Sequence, residues 1–191
     1  MNIVNPNLNF RDLKALALIT QPQKLIQHHM GNDGSIYAQH NNHLSRGWNG
    51  LAYNYWIAFD GTIFEGRGFR QGAHSGATWN PKSLGIGYQG DFENGVMTDA
   101  QLESGARLNA WLIKQFPYLT LFDIIGHKDV TATLCPGKNF RMGELRTRTL
   151  DYLSQKNEIE SLRKEVAKLQ SEVNRLTAIL KSISAKTREF I

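Results

Sequence analysis

The sequence has 191 residues, of which 41% are hydrophobic and 10% aromatic, enough for one domain of ordinary size with a real core and an appendage. Basic minus acidic residues number 14 minus 11 over residues 1–150 and 8 minus 6 over residues 151–191, which together give the net charge of +5. Because no dense basic tract occurs, a nucleic acid partner is not expected. The one cysteine, Cys135, excludes an intramolecular disulfide and leaves its thiol free for a metal or for catalysis.

The N-terminal segment has a single apolar stretch, residues 16–19, which follows Arg11, Asp12 and Lys14. This stretch is too short for the core of a signal peptide or for a transmembrane segment, so neither is expected. Residues 10–20 have helical composition and stop before Pro22, which predicts a short helix or a turn.

The run from Lys24 to Met30 predicts a buried strand, and the glycine-bearing residues 31–34 predict the loop that leaves it. Side chains alternate between the two faces of a strand, so His28 and His29 point to opposite faces. At most one of these histidines is therefore naturally a ligand.

Residues 35–44 then show helical spacing. Two β-rich runs follow, residues 54–59 and 62–65, and Asp60-Gly61 between them is a strong signal for a hairpin. Residues 83–89 predict a further strand, whose glycines leave room for close approach of the backbone.

Thr98 and Gln101 predict a capping box at the start of an amphipathic helix that runs to about Phe116 and ends before Pro117. Residues 122–126 predict a final strand, which delivers His127. This order of strands and helices predicts an α/β fold with a mixed central β-sheet flanked by helices.

The pattern changes near Tyr152, which divides the chain into a domain over residues 1–150 and a long C-terminal helix over residues 151–191. Apolar residues there follow alternating steps of three and four, which indicates the seam of a coiled coil: Ile159, Leu162, Val166, Leu169, Val173, Leu176, Leu180 and Ile183. β-Branched residues at most a positions and leucine at most d positions favour a parallel dimer. A long helix folded back on its own domain is the alternative.

The stretch 126–137 holds Cys135 and, eight residues before it, His127. A thiolate and an imidazole are good zinc ligands, but catalytic zinc usually takes three ligands from the protein. The third ligand must come from elsewhere, and the best candidates are His28 and His29 at the end of the first strand.

Together these features resemble the zinc amidases of the peptidoglycan-recognition type, the type 2 amidases, which include phage lysozyme-like amidases and animal peptidoglycan recognition proteins. The resemblance covers roughly residues 24–145. It rests on six motifs in the family's order: residues 26–29, 47–55, 59–67, 72–76, 83–87 and 126–137.

The resemblance implies that His28, His127 and Cys135 hold Zn²⁺, with His29 as the less favoured alternative to His28. Catalytic roles are implied for Tyr53 and Thr133. The Tyr53 phenol, beside the zinc, is expected to hydrogen-bond the nucleophilic water and is the candidate to move its proton, and the Thr133 hydroxyl can donate to the developing oxyanion. Contacts with substrate are implied or expected for four further residues: His74, Trp48, Trp79 and Asn80. Packing of the tryptophans and a purely local role for His74 in its loop are the alternatives.

One departure from the family distinguishes its branches. Cell-wall-recycling amidases carry a catalytic glutamate at the position of Gly87, so the tyrosine-dependent branch fits this chain better. His40 and His43 are expected to be structural. Asp129 is a candidate to support a ligand or to cap a turn.

The reaction implied is hydrolysis of the amide between N-acetylmuramic acid and L-alanine in bacterial peptidoglycan. Without a signal peptide, the leading hypothesis is an endolysin that stays in the host cytoplasm until it is released to lyse the cell wall. A non-catalytic peptidoglycan-binding module and a phage regulatory partner protein are the alternatives. The C-terminal helix is expected to make the protein a homo-oligomer.

Overall fold

The computed structural model describes residues 1–188, without the side chains of residues 155–158, 160, 161 and 182–188. The chain divides into two compact units, Met1–Tyr152 and the segment from Leu153 onward. The described residues form strands and helices in the following order: β1 (Lys24–His29), α1 (Ile36–Ser45), β2 (Tyr55–Ile57), β3 (Ile63–Glu65), α2 (Gly76–Trp79), β4 (Ser83–Tyr88), α3 (Asp99–Gln115), β5 (Ile124–Gly126) and α4 (Met142–Arg188).

The first unit is built on a five-stranded sheet with the order β3-β2-β4-β1-β5. The β2–β3 pair is antiparallel, and the other neighbouring pairs are parallel. Since β1 and β4 are fully paired and almost entirely buried, they form the centre of the core. The predicted mixed α/β fold is confirmed.

A buried polar network ties the centre of this sheet to α3. The Gln27 side chain accepts a hydrogen bond from Tyr88 Oη at 2.9 Å and donates one to Asn109 Oδ1 at 3.1 Å. Gly105 of α3 makes room for the tyrosine, because a Cβ atom at that position would lie 2.3 Å from Tyr88 Oη. Buried polar groups that are paired in this way fix one packing arrangement, and here they fix the register of β1 against α3.

The predicted start of α3 is confirmed, whereas some of the predicted strands are shorter in the structure. The capping box is present, with Gln101 N donating to Thr98 Oγ1 at 3.0 Å and Thr98 N donating to Gln101 Oε1 at 3.2 Å. The strands of the hairpin around Asp60-Gly61 are only three residues each. A 3₁₀ turn, Leu121–Asp123, replaces the first half of the last predicted strand.

Of the two structures predicted for residues 10–20, a short helix or a turn, the segment contains a turn, at Lys14 and Ala15. Its carbonyls are used by a distant residue, because Arg70 Nη1 donates to Lys14 O at 3.1 Å and to Leu16 O at 2.8 Å. Ile19 N also donates to Phe69 O at 2.7 Å. These bonds hold the segment against the loop after β3.

The C-terminal helix α4 runs for 47 residues. Within the part from Leu153 onward, apolar side chains are 45–66% exposed: Ile159, Leu162, Val166, Leu169, Val173, Leu176, Ile179 and Leu180. Ile183 of the predicted seam lies outside the described side chains. Across the described residues, no helix combines the length and the apolar character that crossing a membrane requires.

Candidate active site

The site lies where β1 and β5 end. These strands are parallel neighbours, with Gln27 opposite Gly126, so the residues that follow, His28 and His127, emerge at the same edge of the sheet. The carboxyl ends of parallel strands are where sites form in α/β folds. Cys135 is returned to this edge by a short loop, in which Lys128 N donates to Cys135 O at 2.7 Å.

Ligand atoms of His28, His127 and Cys135 all lie within 4.8 Å of one another. Cys135 Sγ is 3.6 Å from His28 Nδ1. In tetrahedral geometry, a zinc ion about 2.3 Å from sulfur and about 2.0–2.1 Å from nitrogen separates those two atoms by about 3.6 Å. The donor set and its spacing therefore fit zinc, and Nδ1 is the nitrogen of His28 that faces the metal position.

The protonation states of these groups suit a metal site. Burial lowers the pKa of His28 well below its ordinary value, and the neighbouring His74 and His127 lower it further. Burial also lowers the pKa of His127, so both imidazoles are neutral and can offer a lone pair. Burial raises the pKa of the Cys135 thiol to about 12, which means that its thiolate form requires a compensating cation.

His29 points elsewhere. Its Nδ1 accepts a hydrogen bond from Phe92 N at 3.1 Å and lies 3.3 Å from Asp91 Oδ1. Asp129 caps the 3₁₀ turn His127–Asp129, because its Oδ2 accepts from Gly126 N at 2.8 Å. Both residues thus have structural contacts of their own beside the cluster.

Tyr53 stands beside the cluster, with its ring centroid 5.2 Å from that of His28. Burial raises the pKa of the phenol above its ordinary value, and the nearby Cys135 raises it further. The phenol is therefore protonated at neutral pH and is available as a hydrogen-bond donor. Gly87 lies beneath the ring, where a Cβ atom would come within 3.0 Å of Tyr53 Cδ2.

Thr133 lies on the loop that carries the cysteine. Its Oγ1 accepts a hydrogen bond from Cys135 N at 3.3 Å, so the side chain shapes the approach of the thiol to the cluster. The hydroxyl proton of Thr133 is still available for donation to another group.

A pocket of about 270 Å³ opens over the cluster. Trp48 and His74 are part of its lining, whereas Trp79 and Asn80 are not among the described lining residues. Lys82 Nζ lies 4.5 Å from the centre of the Trp79 ring. Asn80 Oδ1 accepts from the backbone nitrogens of His74 and Ser75 at 2.9 and 2.8 Å, so Asn80 holds the loop that bears the histidine.

One wall of the pocket comes from α1, which the sequence motifs did not connect with the site. Its contributors are Gln39, Asn42 and His43 of α1 and Arg46, the residue at which the helix is capped. Their spacing of i, i+3, i+4 and i+7 is one face of a helix, and this polar stripe is the signal that could have identified them. The wall offers amide groups and one guanidinium to a polar ligand.

The two histidines of α1 do have structural roles, as expected. His40 Nδ1 accepts from Leu51 N, and His43 Nδ1 accepts from Ala52 N, both at 3.1 Å. These bonds fix the two residues that precede Tyr53. His43 also stacks on Trp48, with ring centroids 4.8 Å apart.

Comparison with known proteins gives a consistent assignment. Residues 19–138 match the family described as N-acetylmuramoyl-L-alanine amidase. Peptidoglycan-recognition protein SC2 of Drosophila melanogaster is 34% identical over 140 residues, covering 73% of this chain and 67% of that protein. Peptidoglycan recognition protein 1 of Bos indicus is 38% identical over 100 residues, covering 52% of this chain and 53% of that protein.

Among solved structures, the N-acetylmuramoyl-L-alanine amidase LysC from Clostridium intestinale URNW is similar, with a TM-score of 0.70, 29% identity, and coverage of 78% of this chain and 97% of that chain. The endolysin amidase LysCS from the same organism has a TM-score of 0.69 and 30% identity over 77% of this chain and 94% of that chain. With the family match over more than half of its length, this chain belongs to the N-acetylmuramoyl-L-alanine amidase family.

Proposed function

We propose that this protein is a zinc-dependent N-acetylmuramoyl-L-alanine amidase of the endolysin type. The observation that carries the proposal is the convergence of His28, His127 and Cys135 within 4.8 Å at a pocket lined also by Tyr53. The similarity to LysC and LysCS supports amide hydrolysis as the reaction. The substrate would be bacterial peptidoglycan, at the bond between the lactyl carbonyl and the nitrogen of L-alanine.

The cluster offers two neutral imidazoles and the Cys135 thiol, which would lose its proton when zinc binds. Zinc held by these donors would supply the Lewis acidity that activating water and polarising an amide carbonyl require. The reaction adds water across the C–N bond, leaving a carboxylate on the lactyl group and a free amine on alanine. The lone pairs of His28 and His127 are available for zinc because burial keeps both rings neutral.

Tyr53 would donate its phenolic proton in a hydrogen bond to the oxygen that gains charge as the amide is attacked. Thr133 is proposed as a second, weaker donor to that oxygen. A neutral hydroxyl brings no charge, so most of the stabilisation must come from elsewhere in the site. The polar wall of α1, with Arg46 as its cation, would bind the peptide or glycan beside the cleaved bond.

The test is hydrolysis of purified cell walls, read as new N-terminal alanine and as loss of turbidity. Activity that a chelator abolishes and zinc restores, together with its absence in Cys135→Ser, is the expected result. Cys135→Ser must retain the circular dichroism of the parent for the comparison to count. A zinc-loaded parent that releases no alanine overturns the proposal.

A non-catalytic peptidoglycan-binding module is the second candidate, favoured by the names of the curated relatives, which are recognition proteins. Pelleting with insoluble walls separates the two candidates. Equal binding by the parent and by Cys135→Ser, with no alanine released by either, would establish the binding module. The presence of Cys135 in the cluster favours the enzyme, because a binding module has no need of a thiolate ligand.

We also propose that α4 joins two copies of the chain. Its described apolar side chains are about half exposed and recur with the heptad spacing that a partner helix covers in a parallel dimer. The change Leu169→Lys with Leu176→Lys should give a monomer in sedimentation equilibrium. Ser171→Lys with Ala178→Lys adds the same charge at outer positions and should leave the dimer intact, and a monomeric parent would refute the proposal.

A further inference from the structure

The loop residue His74 lines the pocket, yet the polar contacts of its ring are to other protein side chains. It is 7% exposed, and its Nδ1 lies 3.0 Å from His28 Nε2 and 2.9 Å from Ser75 Oγ. Its Nε2 is buried and makes no hydrogen bond of normal geometry within the described residues. Burial lowers the pKa of His74, and the nearby backbone of Ser83 partly offsets this by raising it. Nδ1 is thus already in contact with two protein groups, and Nε2 is buried.

The ring is held in a slot built by two glycines. A Cβ atom at Gly72 would lie 2.3 Å from His74 Cδ2, and one at Gly85 would lie 2.4 Å from His74 Cγ. Contacts this short do not occur, so both positions must be glycine for the His74 ring to lie where it does. Asn80 completes the arrangement, because its Oδ1 accepts from the His74 and Ser75 nitrogens.

From this geometry we infer that His74 is a positioning residue for the metal ligand His28. The inference rests on the proposed zinc site, where Nδ1 of His28 faces Cys135. If Nδ1 of His28 offers its lone pair to zinc, the proton of this neutral ring must be on Nε2. Nε2 of His28 then donates to Nδ1 of His74, and it also lies 3.5 Å from Ser75 Oγ. The bond fixes both the tautomer and the orientation of the ligand ring.

Outer partners of this kind set metal affinity, and their loss typically lowers it roughly 10–100-fold. His74→Leu removes the acceptor but keeps a buried side chain. His74→Asn returns an acceptor oxygen close to the place of Nδ1. Zinc affinity should therefore fall roughly 10–100-fold in His74→Leu and recover most of that loss in His74→Asn.

The experiment measures zinc affinity by competition with a chromophoric chelator, on the full chain. Gly72→Ala provides a second route to the same effect, because it displaces the ring while leaving His74 in the sequence. His40→Leu is the matched control: it removes another buried histidine whose bond goes to Leu51 N, and zinc affinity should be unchanged. Unfolding of each metal-free protein reports stability separately from affinity.

If the parent protein binds zinc and the His74→Leu variant binds it with equal affinity, the inference is overturned and the proposed amidase function is unaffected. The inference also fails if His74→Leu changes only KM on soluble peptidoglycan fragments, as loss of a substrate contact would. A parent without affinity for zinc overturns the metal site itself, and the inference with it.

Discussion

Replacing Tyr53 by phenylalanine tests the chemistry of the site at a single atom. The ring lies 5.2 Å from the ring of His28, and burial holds the phenol pKa above its ordinary value. The hydroxyl therefore stays protonated across the working pH range, so it contributes as a donor and not as a base. Tyr53→Phe keeps the ring and removes only that donor.

The expected loss follows from the cost of a preorganised donor. Removing one donor to a developing oxyanion lowers kcat roughly 10²–10³-fold, which corresponds to about 3–4 kcal/mol of transition-state stabilisation. Zinc affinity should stay the same, because Tyr53 is outside the cluster that can hold the metal. KM for soluble fragments should change little if the bond is formed mainly in the transition state.

Gly87→Ala tests the same tyrosine by moving its ring slightly instead of removing its hydroxyl. The added Cβ would lie 3.0 Å from Tyr53 Cδ2 and 3.1 Å from Tyr53 Cγ, so the ring must shift by a few tenths of an ångström. A misplacement of 1 Å can cost about 10²-fold in rate, so a loss of about tenfold or less is expected. In a Tyr53→Phe background, Gly87→Ala should have a much smaller effect.

The assay is the initial rate of alanine release from soluble fragments, with zinc content measured on the same samples. A Tyr53→Phe enzyme whose kcat is within about threefold of the parent value would refute the role of the hydroxyl, because one donor is worth at least about 10²-fold in such a site. Loss of zinc from Tyr53→Phe would refute it differently, by showing that the tyrosine acts on the metal site.

Three further changes test the scaffold around the site. Gly105→Ala places a Cβ 2.3 Å from Tyr88 Oη and should cost about 2–3 kcal/mol in urea unfolding, whereas Gly143→Ala, with nothing within 4 Å, should not destabilise. Arg67 is buried and donates to three carbonyls; Arg67→Lys cannot reach all of them and should cost about 2–4 kcal/mol, so an unchanged unfolding midpoint would contradict this interpretation. Burial first, and nearby cations next, lower the pKa of His43 to about 4. Protonation of His43 therefore favours the unfolded chain. Its contribution to the free energy of unfolding is complete above about pH 6.5 and is lost toward pH 4, by on the order of 3 kcal/mol. In metal-free protein, His43→Asn should flatten this slope relative to the parent, and parallel pH profiles would show that the ring does not titrate on unfolding.

Short-range sequence patterns were sufficient to predict the main strands and helices of the first unit. The apolar run before His28 and the capping residues Thr98 and Gln101 each act over a few neighbours, so the sequence alone indicates β1 and α3. The convergence of His28 with His127 and Cys135 could be expected only through the resemblance, since the residues are up to 107 positions apart.

Long-range contacts explain what could not be predicted. Residues 10–20 have helical composition, yet Arg70, more than 50 positions away, takes the carbonyls of Lys14 and Leu16. The pairing of His28 with His74 spans 46 positions and depends on a slot that exists only once Gly72 and Gly85 face each other across the ring. Composition carries no information about such partners.

The close packing of Gly87 against Tyr53 limits what position 87 can carry. Gly87 lies opposite His28 in the β1–β4 register, and the Tyr53 ring fills the space in which a side chain at position 87 would begin. A glutamate at that position would have to displace the ring to reach the cluster. A side chain at position 87 therefore begins in tight contact with the Tyr53 ring and can extend toward the metal ligands only by moving that ring. For this reason Gly87→Glu should not supply a working base to the parent protein, but should lower its activity by displacing Tyr53.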